Sequence, residues 1–184
     1  MLKWALGTFL GIFLGITGYF YWYLGGWKNV TITEKKLGPF YLLAKNHIGP
    51  YHKIAPVIME VEEWAKGQNL DCKKTFGEYF DDPQSVEEGR LKSRGGCLLQ
   101  EKPGITTLPE GVEIVEVPEK DYVVANFDGS PAIGPMKVYP KVTKHLEAMN
   151  KKIGGAVLEV YEIHSQTSMS TTYLFLPTPQ AGGM

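Results

Sequence analysis

The chain has 184 residues and a formal charge of −1, with 19 basic and 20 acidic side chains spread along it. That balance carries no electrostatic footprint for nucleic acid. The two cysteines, Cys72 and Cys97, sit in no C-x-x-C or Cys/His cluster, so free thiols are the expectation.

Residues 4–24, "WALGTFLGIFLGITGYFYWYL", contain no charge, and about 20 apolar residues in a helix cross a bilayer core. Lys3 and Lys28 flank the stretch, and Tyr19, Tyr21, Trp22, Tyr23 and Trp27 crowd its second end like an interfacial belt. Bulky aromatics stand where a signal peptide would need small residues for cleavage. The expectation is one transmembrane helix, an uncleaved single-pass membrane anchor over residues 1–27. Gly7, Gly11 and Gly15 share a helix face that lets two copies approach, which points to self-association. Lys28, Lys35 and Lys36 after the span tilt the domain toward the cytoplasmic side.

Residues 28–179 read as one α+β domain, with 180–184 a short tail; about 155 residues suffice for a core of its own. "VTITEKK" and "FYLLAKN" are strands around the Gly38-Pro39 turn. Ile54, Val57, Ile58, Val61, Trp64 and Ala65 then recur at helical spacing, with Glu60, Glu62, Glu63 and Lys66 on the polar face. Pro56 sets the helix start and Gly67 its end. "KKTFGEYF" and "GGCLLQE" follow as strands, joined by a polar loop through Asp81-Asp82-Pro83.

The second half repeats this order. "VEIVEV" and "DYVVANF" are strands, Gly129-Ser130-Pro131 is a turn, and Val138, Val142, Leu146 and Met149 mark a helix with Pro140 near its beginning. "AVLEVYEI" and "STTYLFL" close the chain. "YLLAKNHIGP" overlays "YVVANFDGSP", "FGEYF" overlays "LEVYE", and "CLLQ" overlays "YLFL". Duplicated strand-helix-strand-strand units imply a pseudo-twofold, with a pocket expected where the units meet.

"NHIGPY", "EYFDDP", "VYEIH" and "YLFLP", in this order, resemble the GyrI-like small-molecule-binding domain, the effector-binding module of some bacterial multidrug-responsive regulators. A membrane anchor ahead of it is similar to the layout of the testis-expressed endoplasmic-reticulum-phagy receptor family. The GyrI-like resemblance implies a pocket glutamate with a tyrosine two residues later, and it points to Glu162, where His164 replaces that tyrosine. The Gly129-Ser130-Pro131 turn also departs from the family's usual Gly-Pro.

On strand periodicity Val160, Glu162 and His164 share one face, and Glu159, Tyr161 and Ile163 the other. Either Glu159 or Glu162 must therefore accompany apolar residues. A carboxylate in such surroundings asks for a partner, and a lipophilic cation between aromatic walls would supply one. Tyr161, Tyr79, Trp64 and Tyr139 are the aromatic candidates beside Glu162. His47 and His52 fall on different elements around Gly49-Pro50, with no third ligand at a zinc spacing, so they read as turn residues. "DDPQSVEEG" lacks the oxygen spacing of a calcium loop, and no phosphate loop or nucleophile elbow occurs. No metal, cofactor or nucleic-acid partner is expected.

The function these features imply is a membrane-anchored binding domain for small amphipathic or lipophilic, cationic molecules. Similar domains that open strained rings make a hydrolase using a pocket Glu and Tyr the first alternative. A membrane-tethered protein adaptor ranks behind, since "TPQAGGM" after Pro177 carries no aromatic-x-x-aliphatic segment among acids.

Overall fold

The computed structural model describes residues 2–105, 107–165 and 168–180. Helix α1 (Leu2–Tyr23) precedes strands β1 (Thr31–Leu37) and β2 (Phe40–Ile48), helix α2 (Ala55–Gly67), and strands β3 (Lys74–Tyr79) and β4 (Lys92–Leu99). Strands β5 (Val112–Val117) and β6 (Lys120–Phe127), helix α3 (Gly134–Glu147), and strands β7 (Lys151–Ser165) and β8 (Ser168–Pro179) follow. One antiparallel sheet takes the order β1-β6-β8-β7-β3-β4-β2-β5.

Exchanging each strand with its counterpart four places on reverses this order, as a twofold axis between β3 and β7 requires. The register locates the axis. Gly77 pairs with Glu159 across that junction, and the overlay of "FGEYF" on "LEVYE" makes the same two residues equivalent. Gly38-Pro39 does not close a hairpin: β1 crosses to pair with β6, and β5 crosses back to pair with β2. The halves are thus interlocked by their first strands.

Both helices lie on one face of the sheet, α2 over β2, β3 and β4, and α3 over β6 and β7. Leu43, Val61, Ala65, Cys97 and Leu99 pack beneath α2. Phe127, Val138, Val142, Leu146 and Phe175 pack beneath α3. Burying an aliphatic side chain of this size contributes about 1.5–3 kcal/mol. The other face buries Leu42, Phe76, Tyr122, Leu158, Val160 and Leu174 without a helix over it, so the sheet curls upon itself there. Pro56 occupies the first turn of α2 as expected, whereas α3 begins a turn earlier than expected, with Pro135 at its start and Pro140 inside it.

Helix α1 forms, but the expected span is not supported: among the described residues no helix is long and apolar enough to cross a membrane. Four glycines, two threonines and a tyrosine-rich end dilute its apolarity. Every large apolar side chain from Leu6 to Tyr23 is more than half exposed. Side chains added at Gly7, Gly11 or Gly15 would meet nothing, so the chain's own packing does not require these glycines and self-association is likewise unsupported. Residues 181–184 of the expected tail lie outside the described residues.

The cysteines are not free. Cys72, in the loop after α2, is disulfide-bonded to Cys97 of β4, with Cα atoms 5.4 Å apart and a sequence separation of 25. Cross-linking a loop of this length stabilises by about 3 kcal/mol. Reduction, or Cys72→Ser with Cys97→Ser, should therefore lower the melting temperature by about 10 °C; calorimetry showing no change would refute a stabilising bridge.

Candidate functional site

Four buried residues in a row, Val157 to Val160, show that β7 is covered on both faces. Alternation decides what each face receives. Val157, Glu159 and Tyr161 point toward the helices, while Leu158, Val160 and Glu162 join the opposite side. Glu159 is only 5% exposed.

Two tyrosines supply its hydrogen bonds. Tyr161 donates to Oε2 at 3.1 Å, and Tyr139, reaching down from α3, lies 3.4 Å from Oε1. Tyr79, the counterpart of Tyr161 in the first repeat, meets its hydroxyl at 2.9 Å. Burial pushes the Glu159 carboxyl up to about 7, against the opposing effect of the bonds from Tyr161 and Tyr139. Burial, reinforced by the Glu159 charge, pushes the hydroxyls of Tyr79, Tyr139 and Tyr161 up as well. No cation contributes to the Glu159 shift. Among the described residues the acid is held by neutral donors, Tyr139 and Tyr161.

The pseudo-twofold explains the arrangement. It equates Glu159 with Gly77, and a Cβ at Gly77 would stand 2.7 Å from the Tyr79 hydroxyl. The missing side chain of one repeat is therefore the space in which Tyr79 reaches its partner across the axis. Tyr51 completes the wall. Its hydroxyl donates to the Asp81 carbonyl at 2.8 Å and accepts from the Asp81 amide at 2.9 Å, and its ring packs edge-on to Tyr79 at 4.7 Å. "NHIGPY" thus anchors the end of β3. His47 Nε2 lies 3.3 Å from the Pro50 carbonyl within the turn, and among the described residues no cluster of metal-ligating side chains occurs.

Tyr173 is the cross-strand partner of Glu159, and Thr171 that of Tyr161. The Thr171 hydroxyl lies within hydrogen-bonding reach of that of Tyr173, while that of Ser93, beside Tyr79 in the β3–β4 register, is buried without a partner among the described residues. A water or a polar ligand atom would satisfy it. The tyrosine rings close the pocket expected at this seam. A shallow cleft of about 400 Å³ reaches Tyr161 between Glu62 of α2, the Cys72–Thr75 stretch, and Glu162 to His164.

Of the residues expected from sequence, Tyr161, Tyr79 and Tyr139 converge on this site and two others do not. Glu162 lies on the opposite face of β7, paired with Lys74 at 2.9 Å. Trp64 packs, partly buried, against the core cluster of Leu43, Val61 and Cys97. Tyr51 and Tyr173 also stand here and were not among the expected residues, and Glu159 is the alternative that alternation left open against Glu162. One signal was present: the glutamate–x–tyrosine spacing is met by Glu159 and Tyr161, three residues before Glu162 and His164.

Residues 30–178 match the GyrI-like small-molecule-binding domain, and the chain belongs to that family. The fold is similar to the EcmrR C-terminal domain (12% identity, TM-score 0.61, covering 82% of this chain and 98% of that one). EcmrR in its DNA complex in EcmrR-RPo is also similar, with 10% identity, TM-score 0.63, and 97% and 69% of the two chains covered. So is SAV2435 bound to tetraphenylphosphonium, with 11% identity, TM-score 0.52, and 80% and 93% covered. No curated protein sequence matches the chain. The endoplasmic-reticulum-phagy receptor resemblance, which rested on the anchor, gains no support from these likenesses.

Proposed function

We propose that the domain binds lipophilic cations at the α2–α3 seam, with Glu159 as counter-ion and Tyr51, Tyr79, Tyr139 and Tyr161 as the aromatic wall, and that α1 holds it at a membrane. The observation that carries the ligand reading is a buried carboxylate with tyrosine donors and no cationic partner. An anion in such a place gains most from a ligand that brings charge without a tight water shell. Tetraphenylphosphonium, the ligand on SAV2435, has this chemistry. Entry requires the rings over Glu159 to swing aside, and the cleft beside Tyr161 offers an approach. Membrane attachment is supported by the apolar surface that α1 leaves exposed on all sides.

Only ionised Glu159 attracts a cation. Tetraphenylphosphonium affinity, measured by titration calorimetry, should thus fall roughly a hundredfold from pH 8 to pH 5, through the carboxyl value of about 7. Glu159→Gln should bind weakly at both pH values and Glu162→Gln like the parent. Affinity that ignores pH, or is lost in Glu162→Gln instead, would sink the assignment.

The same acid supports a second reading. A carboxyl poised near neutrality beside a tyrosine hydroxyl suits proton transfer, as opening a strained ring by water requires. Turnover of a strained-ring ester, abolished in Glu159→Gln, would favour hydrolysis over binding alone.

A further inference from the structure

The two helices related by the pseudo-twofold carry opposite charge. Helix α2 has three glutamates, Glu60, Glu62 and Glu63, against Lys66. Helix α3 has three lysines, Lys137, Lys141 and Lys144, against Glu147. Among the described residues, hydrogen bonds tie the basic helix, and not the acidic one, to the segment that follows α1. Lys137 Nζ donates to the Gly26 carbonyl, and the Ser130 amide, just ahead of α3, donates to the Leu24 carbonyl at 2.9 Å. Lys28 Nζ donates to the Asp128 carbonyl at 2.6 Å and sits 5.9 Å from the centre of the exposed Trp27 ring.

Lys137, Lys141 and Lys144 are spaced i, i+4, i+7, so they form one stripe that begins where α1 ends. Lys141 and Lys144 are exposed and have no acidic partner among the described residues. At 1.5 Å per residue the stripe runs only about 10 Å from the junction. That is close to the screening length at physiological salt, about 8 Å. All three lysines thus lie within about 10 Å, along α3, of the end tied to the segment after α1.

We infer that the α3 lysine stripe and the aromatic end of α1 form one composite surface for a bilayer carrying acidic phospholipid. Apolar residues of α1 enter the lipid, while Lys141 and Lys144 meet the headgroup phosphates and carboxylates. This inference rests on the membrane reading of α1 and adds the lipid class to it. Each lysine near an anionic surface strengthens binding about fivefold.

Partition of the full chain at limiting lipid into phosphatidylcholine vesicles, with and without phosphatidylserine, tests this. The expected result is at least tenfold tighter partition with phosphatidylserine, suppressed by half-molar salt and removed in Lys141→Glu with Lys144→Glu. Lys141→Gln with Lys144→Gln serves as the milder variant, and circular dichroism verifies folding of both. Equal partition of the parent into both vesicles overturns the inference and leaves α1 as a membrane element. No partition into either overturns both readings. A preference retained in both double variants overturns the assignment to α3.

Discussion

Replacing Glu159 by glutamine is expected to flatten the pH dependence of the domain's stability. Burial raises the folded carboxyl from its ordinary 4.5 to about 7, so the native state holds its proton longer than the unfolded chain does. The stability this provides is fully present below about 4.5, is lost as pH rises toward 7, and stays lost above. At 1.36 kcal/mol per pH unit the difference is on the order of 3 kcal/mol. Glutamine cannot ionise, but its amide brings donors to a site that already has Tyr139 and Tyr161 as donors. Glu159→Gln should thus be the less stable protein at pH 4.5 and the equal or more stable one at pH 8, by urea unfolding. Parallel curves would show that folding leaves the Glu159 carboxyl at its ordinary value, and the buried-acid account would fail with them.

A second large effect is expected at Gly134→Ala. The first residue of α3 sits so close to β8 that a Cβ there would stand 2.0 Å from the Tyr173 hydroxyl. Tyr173 has little room to yield: it is fully buried, stacked with Phe175 at 6.2 Å and edge-on to Tyr139 at 6.3 Å. Overpacking of this kind costs about 1–3 kcal/mol, and the upper end is expected because α3 would have to lift at the same end that Lys137 ties to α1. Tyr173→Phe supplies the control. Its buried hydroxyl meets that of Thr171, so removing it should cost about 1 kcal/mol at most. The double variant should recover most of the loss in Gly134→Ala. Additive single effects in this cycle would mean that the two residues do not collide.

Much of the scaffold was legible before any coordinates. Helical spacing marked both helices, turn residues separated the strands, and the overlay of the halves placed Tyr79 opposite Tyr161, which the structure joins hydroxyl to hydroxyl. The same overlay set Gly77 against Glu159, the pair that meets at the axis. Its meaning was hidden because a glycine in a strand pattern has many local explanations. The apolar N-terminal stretch was read correctly as a helix, but a helix of mixed glycine, threonine and tyrosine content is not by that fact a span.

The sequence by itself determined which residues alternate, which half repeats which, and which side chains on β7 share a face. Three-dimensional pairing decided the rest. Period-two alternation divides a strand into two sets without saying which set meets the helices, so Glu159 and Glu162 could not be ranked until β7 had β3 on one side and β8 on the other. The exchange of β1 and β5 between the halves and the joining of Cys72 to Cys97 have the same cause. Both depend on backbone pairings between residues far apart in the chain, and local patterns of apolar and polar residues carry no record of such partners.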